Sequence, residues 1–170
     1  MEYIQAKEEF IQAWGALGSS WGINKTMAQI FALLIVTPRS MTVEEIMEEL
    51  SISRGNVSMN LRLLIDWEIV ERTTKKGERK DYYYCERDVW ALCRKVAEQR
   101  KDREIKPVLK VLEQVNNIDT TEGEDAVELK RVTSELIDVV HLTDQALTTF
   151  TNSDRSWVSK TILSMMKKKK

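Results

Sequence analysis

The sequence predicts a mainly α-helical protein of the α+β class, built from packed helices and one β-hairpin. With six Gly and two Pro among 170 residues, 31% charged and 42% hydrophobic, the composition is that of an ordered, helix-rich chain. Apolar residues recur at helical spacing along most of its length. Residues 69–85 are the exception, because β-branched and aromatic residues flank a charged centre that contains Gly77. This segment is therefore predicted to form the hairpin.

Two helices are predicted in the N-terminal part of the chain. Residues 2–18 carry apolar side chains at helical spacing, and Gly18 with the two serines after it is expected to end this helix. A second helix begins at Lys25, with Asn24 as its N-cap. Its side chains are nearly all apolar, so it should be the most buried helix of the domain.

The next segment predicts two short helices joined by a tight turn. Thr42 and Glu45 have the spacing of a capping box that opens the first helix. The turn is residues 51–53, and Ser53 is a good N-cap for a second helix that runs to about Trp67. This pattern is a helix-turn-helix, and with the hairpin after it the segment has the order of a winged helix-turn-helix domain.

The helical period returns after the hairpin. We expect residues 1–87 to form the winged helix-turn-helix DNA-binding domain with its N-terminal helix, and residues 88–170 a helical dimerisation or effector region. Residues 116–123 should be a polar linker, followed by a long helix to about Phe150 and a short last helix at 157–166 before four lysines.

The helices after Asp88 carry more apolar surface than one small winged domain can cover. We therefore expect a second copy of the chain to cover it in a symmetric homodimer. The alternative is a bundle within one chain that folds back on the N-terminal helix.

Charge and cysteine content exclude several classes of protein. The net charge is only −1, yet residues 51–85 carry seven basic and five acidic side chains, which is a local positive patch on an acidic body. No segment predicts a transmembrane span or a secretory signal, so we expect a cytoplasmic protein. Cys85 and Cys93 are not in a CxxC pair and are expected to pack in the interior. No catalytic constellation stands out, so neither an enzyme nor a cofactor is predicted.

The second helix of the helix-turn-helix has the side chains of a DNA-reading helix. A major groove about 12 Å wide admits one α-helix, and this helix has no acidic residue before Asp66. Arg pairs with guanine and Asn with adenine, whereas Ser and Arg also hold phosphates. We predict base contacts by Arg54, Asn56, Met59 and Asn60, and phosphate contacts by Ser53, Ser58 and Arg62.

The hairpin predicts a second contact with DNA. Its basic residues cluster near a tip where Gly77 allows a turn with positive φ. These side chains should supply salt-sensitive affinity through phosphates more than sequence choice. They are Arg72, Lys75, Lys76, Arg79 and Lys80.

Several blocks resemble the GbsR branch of the MarR-like winged helix-turn-helix transcriptional regulators. The most specific are Ser53-Arg-Gly-Asn-Val-Ser-Met-Asn-Leu61 and Gly77-Glu-Arg-Lys-Asp-Tyr-Tyr83. The others are Trp21-Gly22, Thr37-Pro38 and Met41-Thr-Val-Glu-Glu-Ile46. The resemblance covers roughly residues 1–115. The C-terminal third is similar to the variable helical dimerisation region of that family.

The resemblance implies a homodimeric repressor that binds double-stranded DNA at a pseudo-palindromic operator, and some relatives respond to choline. A quaternary ammonium is held by an aromatic cage. Possible walls for such a small-molecule site are Tyr3, Trp14, Trp21 and Trp90.

Two other functions are compatible with the residues. The winged domain could be a protein-interaction module without specific DNA binding, which the near-neutral net charge allows. The chain could also be a small-molecule-binding protein whose wing is vestigial. Salt-dependent binding to duplex DNA separates both from a DNA-binding regulator.

Overall fold

The computed structural model describes residues 1–153, and the predicted helix at 157–166 with the lysines after it lies outside them. The fold is mostly helical with one antiparallel hairpin, as predicted. The chain divides into two compact units, of which the first is Met1–Leu92 and the second begins at Cys93. The elements are α1 (Tyr3–Ser20), α2 (Lys25–Val36), α3 (Val43–Leu50), α4 (Arg54–Asp66), β1 (Val70–Thr74), β2 (Asp81–Cys85), α5 (Val89–Arg100), α6 (Lys106–Val115) and α7 (Glu124–Thr151).

Helix α1 packs against α2 and continues past the predicted end at Gly18. Gly18 is buried, and a Cβ atom built on it would come within 2.5 Å of the Cβ of Ala28. The glycine is therefore a point of close approach between two helices and does not terminate α1. Helix α1 ends two residues later, at Ser20.

Helix α2 supplies much of the core of the first unit, as its composition predicts. Asn24 caps it by accepting hydrogen bonds from the N–H groups of Thr26 and Met27. Its buried side chains meet those of α3, α4 and the hairpin, with which it is in contact. The largest fully buried apolar side chains of this core are Ile30, Leu33, Leu34, Met41, Ile46, Leu61, Leu64, Val57 and Val70.

The predicted capping box of α3 is present. The Thr42 hydroxyl accepts from the N–H of Glu45, and the Glu45 carboxylate accepts from the N–H of Thr42 at 2.7 Å. Burial raises the pKa of Glu45, but the Thr42 N–H and the guanidinium of Arg39 outweigh burial and hold this pKa below its ordinary value. The helix ends at Leu50, and the left-handed φ of 52° at Ser51 turns the chain toward α4.

An isolated β-bridge connects the hairpin to the helix-turn-helix. Strands β1 and β2 pair in antiparallel register from Val70 opposite Cys85 to Thr74 opposite Asp81. Met41 and Tyr83 exchange two backbone hydrogen bonds of 2.9 and 2.8 Å. This bridge joins the residue just before the α3 capping box to β2, so the wing is held against the helix-turn-helix.

Most of α5 belongs to the second unit. One π-helical turn, Lys101–Ile105, connects α5 to α6. Helix α6 packs against α7. Pro107 has no N–H to donate into the preceding turn, so the regular helical pattern is interrupted there. Lys101 forms an ion pair with Asp144 on α7, with Nζ and Oδ2 3.3 Å apart. Thr133 is buried and donates to Asn116, which ties α7 to the end of α6.

Helices α6 and α7 of this unit present apolar side chains to solvent. On α6, Val108, Val111 and Val115 are spaced by three and four residues and are 51%, 56% and 37% exposed. On α7 the exposed stripe is Leu129, Leu136, Val139 and Leu142.

The two cysteines differ in their surroundings. Cys85 is buried, as predicted, and burial raises its pKa to about 12, so its thiol is unreactive at neutral pH. Cys93 is exposed, so the prediction that it packs in the interior is wrong.

Between residues 1 and 153, no helix combines the length and apolar composition needed to cross a bilayer.

Candidate nucleic-acid interface

Helix α4 begins as predicted, with Ser53 as its N-cap. The Ser53 hydroxyl accepts from the N–H of Asn56 at 3.3 Å. The inner face of the helix is formed by Val57, Leu61 and Leu64, all 1% exposed or less. The helix therefore lies with one face in the core and the other in solvent, which is the arrangement that a groove-reading helix needs.

Asn60 lies on the buried face and has no exposed surface. Its Nδ2 donates to the backbone carbonyl of Asn56 at 2.8 Å and to Asn56 Oδ1 at 2.7 Å. The predicted base contact by Asn60 is therefore wrong, because its side chain is buried and its Nδ2 group is bonded to Asn56. The bond from Asn60 engages Oδ1 of the half-buried Asn56 side chain, which leaves Asn56 Nδ2 as a donor for another acceptor.

The outer face of α4 carries Arg54, Met59 and Arg62, with the arginine at position 54 62% and the methionine 53% exposed. Ser58 is half-buried beside this face. Gly55 lies on the outer face, and a Cβ atom built there would meet nothing within 4 Å. Packing among residues 1–153 thus gives no reason for glycine at this position. Because Gly55 has no side chain, another molecule can approach the first turn of the helix closely beside Arg54.

The tip of the wing is a turn in which the N–H of Glu78 donates to the carbonyl of Lys75 at 3.0 Å. Gly77 has φ +86°, which glycine adopts without strain. Lys75 Nζ lies 3.9 Å from the centre of the Tyr82 ring, and the Tyr82 hydroxyl donates to Glu78. This hydrogen bond raises the pKa of Tyr82, so the phenol stays neutral.

The basic side chains of this surface fall into two groups. Arg54 is paired with Glu44, Arg72 is 3.5 Å from Asp81, and Lys75 covers Tyr82. The second group has no acidic partner in the described part of the chain and is exposed. Its members are Arg62, Lys76, Arg79 and Lys80.

The four aromatic residues predicted as walls of an effector cage do not all meet. Tyr3 and Trp21, 71% and 58% exposed, lie at opposite ends of α1, about 27 Å apart at the helical rise per residue. Trp14 packs on its own helix, where its ring centroid is 5.4 Å from that of Phe10. Tyr3 and Trp21 therefore cannot both line one cage within a single chain. Each of the four aromatic residues, including the half-buried Trp90 on α5, stays a separate candidate.

The sequence pattern does not single out Glu44, although this residue contacts the predicted reading helix. It is an exposed acidic residue in the first turn of α3, a place where acidic side chains are common because they favour the helix dipole. Its partner is ten residues further along the chain, so no helical spacing rule signals the pair.

The capped α3, the turn, α4 and the attached wing define a winged helix-turn-helix domain. Residues 21–80 match the sequence model of the MarR family. This part of the chain is therefore similar to the MarR family of winged helix-turn-helix proteins, and the match does not single out the predicted GbsR branch.

Similar proteins carry names of the same class. The chain is 28% identical over 86 residues to the putative HTH-type transcriptional regulator YvaV of Bacillus subtilis, covering 51% of this chain and 49% of that protein. It is 28% identical over 85 residues to the HTH-type transcriptional repressor OpcR of B. subtilis, covering 50% and 46%. It is 29% identical over 76 residues to the HTH-type transcriptional regulator MmpR5 of Mycobacterium tuberculosis, covering 44% and 46%. The chain thus spans about half the length of these relatives.

A solved structure has a similar fold. The crystal structure of a transcriptional regulator, 20% identical in sequence, superimposes with a TM-score of 0.57 over 87% of this chain and 99% of that one. At this identity the likeness shows the fold. All the named matches are regulators, in agreement with the prediction that the chain is not an enzyme.

Proposed function

We propose that the chain is a sequence-specific transcriptional regulator that binds double-stranded DNA as a homodimer and acts as a repressor. The observation that carries this proposal is the exposed polar face of α4 next to a wing whose Lys76, Arg79 and Lys80 have no acidic partner within residues 1–153. Helix α4 supplies base contacts through Arg54 and Asn56. The wing supplies phosphate contacts.

The proposal of a homodimer rests on the second unit. Apolar stripes on α6 and α7 remain exposed, including Val111 at 56% and Val139 at 59%. Such contiguous apolar faces favour association, and a symmetric dimer covers the same face on both chains. Two copies of α4 about 34–36 Å apart would match a pseudo-palindromic operator.

A small-molecule effector such as choline stays a prediction. Tyr3 and Trp21 are too far apart for all four aromatic residues of one chain to contact the same choline molecule. Calorimetry with choline tests for a site of another composition, and the absence of binding heat at millimolar choline would remove choline from the proposal.

The wing makes the proposal testable through salt. We expect replacement of Lys76 and Lys80 with Gln to weaken binding to a mixed-sequence 24-bp duplex and to flatten its dependence on salt. The slope of log K against log salt should fall in magnitude by about 0.9 for each phosphate that is no longer neutralised. Fluorescence anisotropy between 50 and 300 mM salt measures both quantities.

A matched pair of substitutions controls for net charge. Replacement of Lys110 and Lys130 with Gln changes the charge by the same amount on exposed positions of α6 and α7. This variant should keep the slope of the wild type. Equal slopes for wing and control variants would contradict the role of the wing, and no salt-dependent binding by the wild type would contradict DNA binding itself.

Gly55 provides a prediction in which stability and binding change in opposite directions. Ala in place of Gly55 meets no neighbouring atom, and Ala in a helix is more stable than Gly by about 0.5–1 kcal/mol. The free energy of unfolding should therefore rise. If DNA approaches the first turn of α4, the added methyl group should weaken DNA binding severalfold.

Urea denaturation and anisotropy on the same preparation measure the two effects of Gly55→Ala. Gln145→Ala is the control, because it also favours the helical state at an exposed position but lies on α7, outside the winged domain. The control should bind DNA like the wild type. A Gly55→Ala protein that is more stable and binds DNA as tightly as the wild type would exclude close approach at this turn.

A further inference from the structure

The ion pair between Glu44 and Arg54 joins the two helices of the helix-turn-helix on their solvent side. Arg54 Nη2 and Glu44 Oε1 are 2.5 Å apart, and the side chains are 62% and 49% exposed. Arg54 is the first residue of α4, and Glu44 lies in the first turn of α3. The pair thus spans the turn and fixes the direction of a side chain that otherwise has many rotamers.

A contribution to stability does not account for this pair. Exposed ion pairs contribute little to folding, and helix α3 already has its capping box in Thr42 and Glu45. The carboxylate of Glu45 accepts from the N-cap N–H and pairs with Arg39. The carboxylate of Glu44 instead reaches across the turn to Arg54.

The Glu44 carboxylate is charged under the conditions in which the protein would meet DNA. Its hydrogen bond with Arg54 is the largest of the effects that hold the pKa of Glu44 below its ordinary value. A guanidinium has five N–H donors in a planar fork. One bond to Glu44 leaves the other donors of Arg54 for a second acceptor, such as the O6 and N7 atoms of guanine.

We propose that Glu44 is a positioning residue that holds Arg54 in the orientation for reading a guanine and keeps it from phosphates. This inference rests on the proposed DNA-binding function. A phosphate and a carboxylate form the same kind of bond with a guanidinium, so Arg54 without Glu44 would bind the backbone of any sequence. Glu44 therefore raises the ratio of operator affinity to mixed-sequence affinity, although its charge does not favour DNA.

The test compares two substitutions that remove the same charge from α3. Glu44→Gln removes the carboxylate beside Arg54, and Glu48→Gln removes an exposed one a turn further along the helix. The probes are an operator duplex selected by the wild type from genomic fragments and a mixed-sequence duplex of equal length. We expect the affinity ratio to fall about tenfold in Glu44→Gln, the scale of one bidentate base contact, and less than about twofold in Glu48→Gln.

A second measurement asks whether the effect passes through Arg54. In an Arg54→Ala background, Glu44→Gln should leave the ratio unchanged. An equal change in the ratio for Glu44→Gln and Glu48→Gln, or a full effect without Arg54, would overturn the positioning role and leave general charge repulsion. A wild type that binds mixed-sequence DNA and selects no operator would overturn this inference together with the proposed function.

Discussion

Replacement of both Arg54 and Asn56 with Ala is expected to abolish operator binding. Arg54 is exposed and directed by Glu44, and the Asn56 amide is directed by Asn60. Each good base contact contributes about 1–3 kcal/mol of discrimination, and both subunits of a dimer carry the change. We therefore expect operator affinity to fall to that for mixed-sequence DNA, as measured by competition anisotropy.

The same variant should keep its fold and its dimer mass. Arg54 forms an exposed ion pair, and the buried Asn60 amide keeps its bond to the backbone carbonyl of residue 56 when the Asn56 side chain is removed. The lost side-chain bond to Asn60 should cost about 1 kcal/mol of folding free energy and leave the protein folded. Retained operator affinity in a folded double variant would show that α4 does not read bases through these two residues. The protein-interaction alternative would then gain support.

The second large effect is expected at the exposed stripe of α7. Val139→Glu places a charge in the middle of the proposed dimer interface, where an unpaired carboxylate is strongly unfavourable. We expect the dimer dissociation constant to rise by about 100-fold or more, which corresponds to about 2.8 kcal/mol. Operator affinity should fall with it, because a monomer contacts one half-site.

Val127→Glu is the matched control for this substitution. Val127 is also on α7 and also exposed, at 52% against 59% for Val139. It lies about 18 Å along the helix axis from Val139 and about 120° around it, at the helical rise and repeat, which places it near the start of α7. Sedimentation velocity should find Val127→Glu dimeric and Val139→Glu monomeric at micromolar concentration. Dimers in both variants would place the subunit contact elsewhere.

Local rules predict the elements of the first unit well. The Asn24 and Ser53 caps and the Thr42–Glu45 capping box depend on side chains a few residues apart, so their spacing in the chain is sufficient to recognise them. The hairpin is recognisable for a similar reason, because its charged tip with Gly77 separates two β-forming segments.

Long-range packing explains the features that the sequence does not predict. Glycine is common at helix ends, so the sequence predicts that the helix terminates at Gly18. Its close approach to Ala28 depends instead on how two helices pack. The polarity of Asn60 favours the outer face, whereas its side chain is buried and its Nδ2 group donates to Asn56 one turn earlier. The Glu44–Arg54 pair joins separate helices, and no periodicity signals such a contact.

The most direct test of DNA reading by α4 is selection of duplexes from a random library by the wild-type protein. We predict an enriched pseudo-palindrome with half-sites about 10–11 bp apart, and no enrichment by the Arg54→Ala, Asn56→Ala double variant. A wild type that enriches no sequence while remaining folded and dimeric would contradict the central claim that α4 reads DNA.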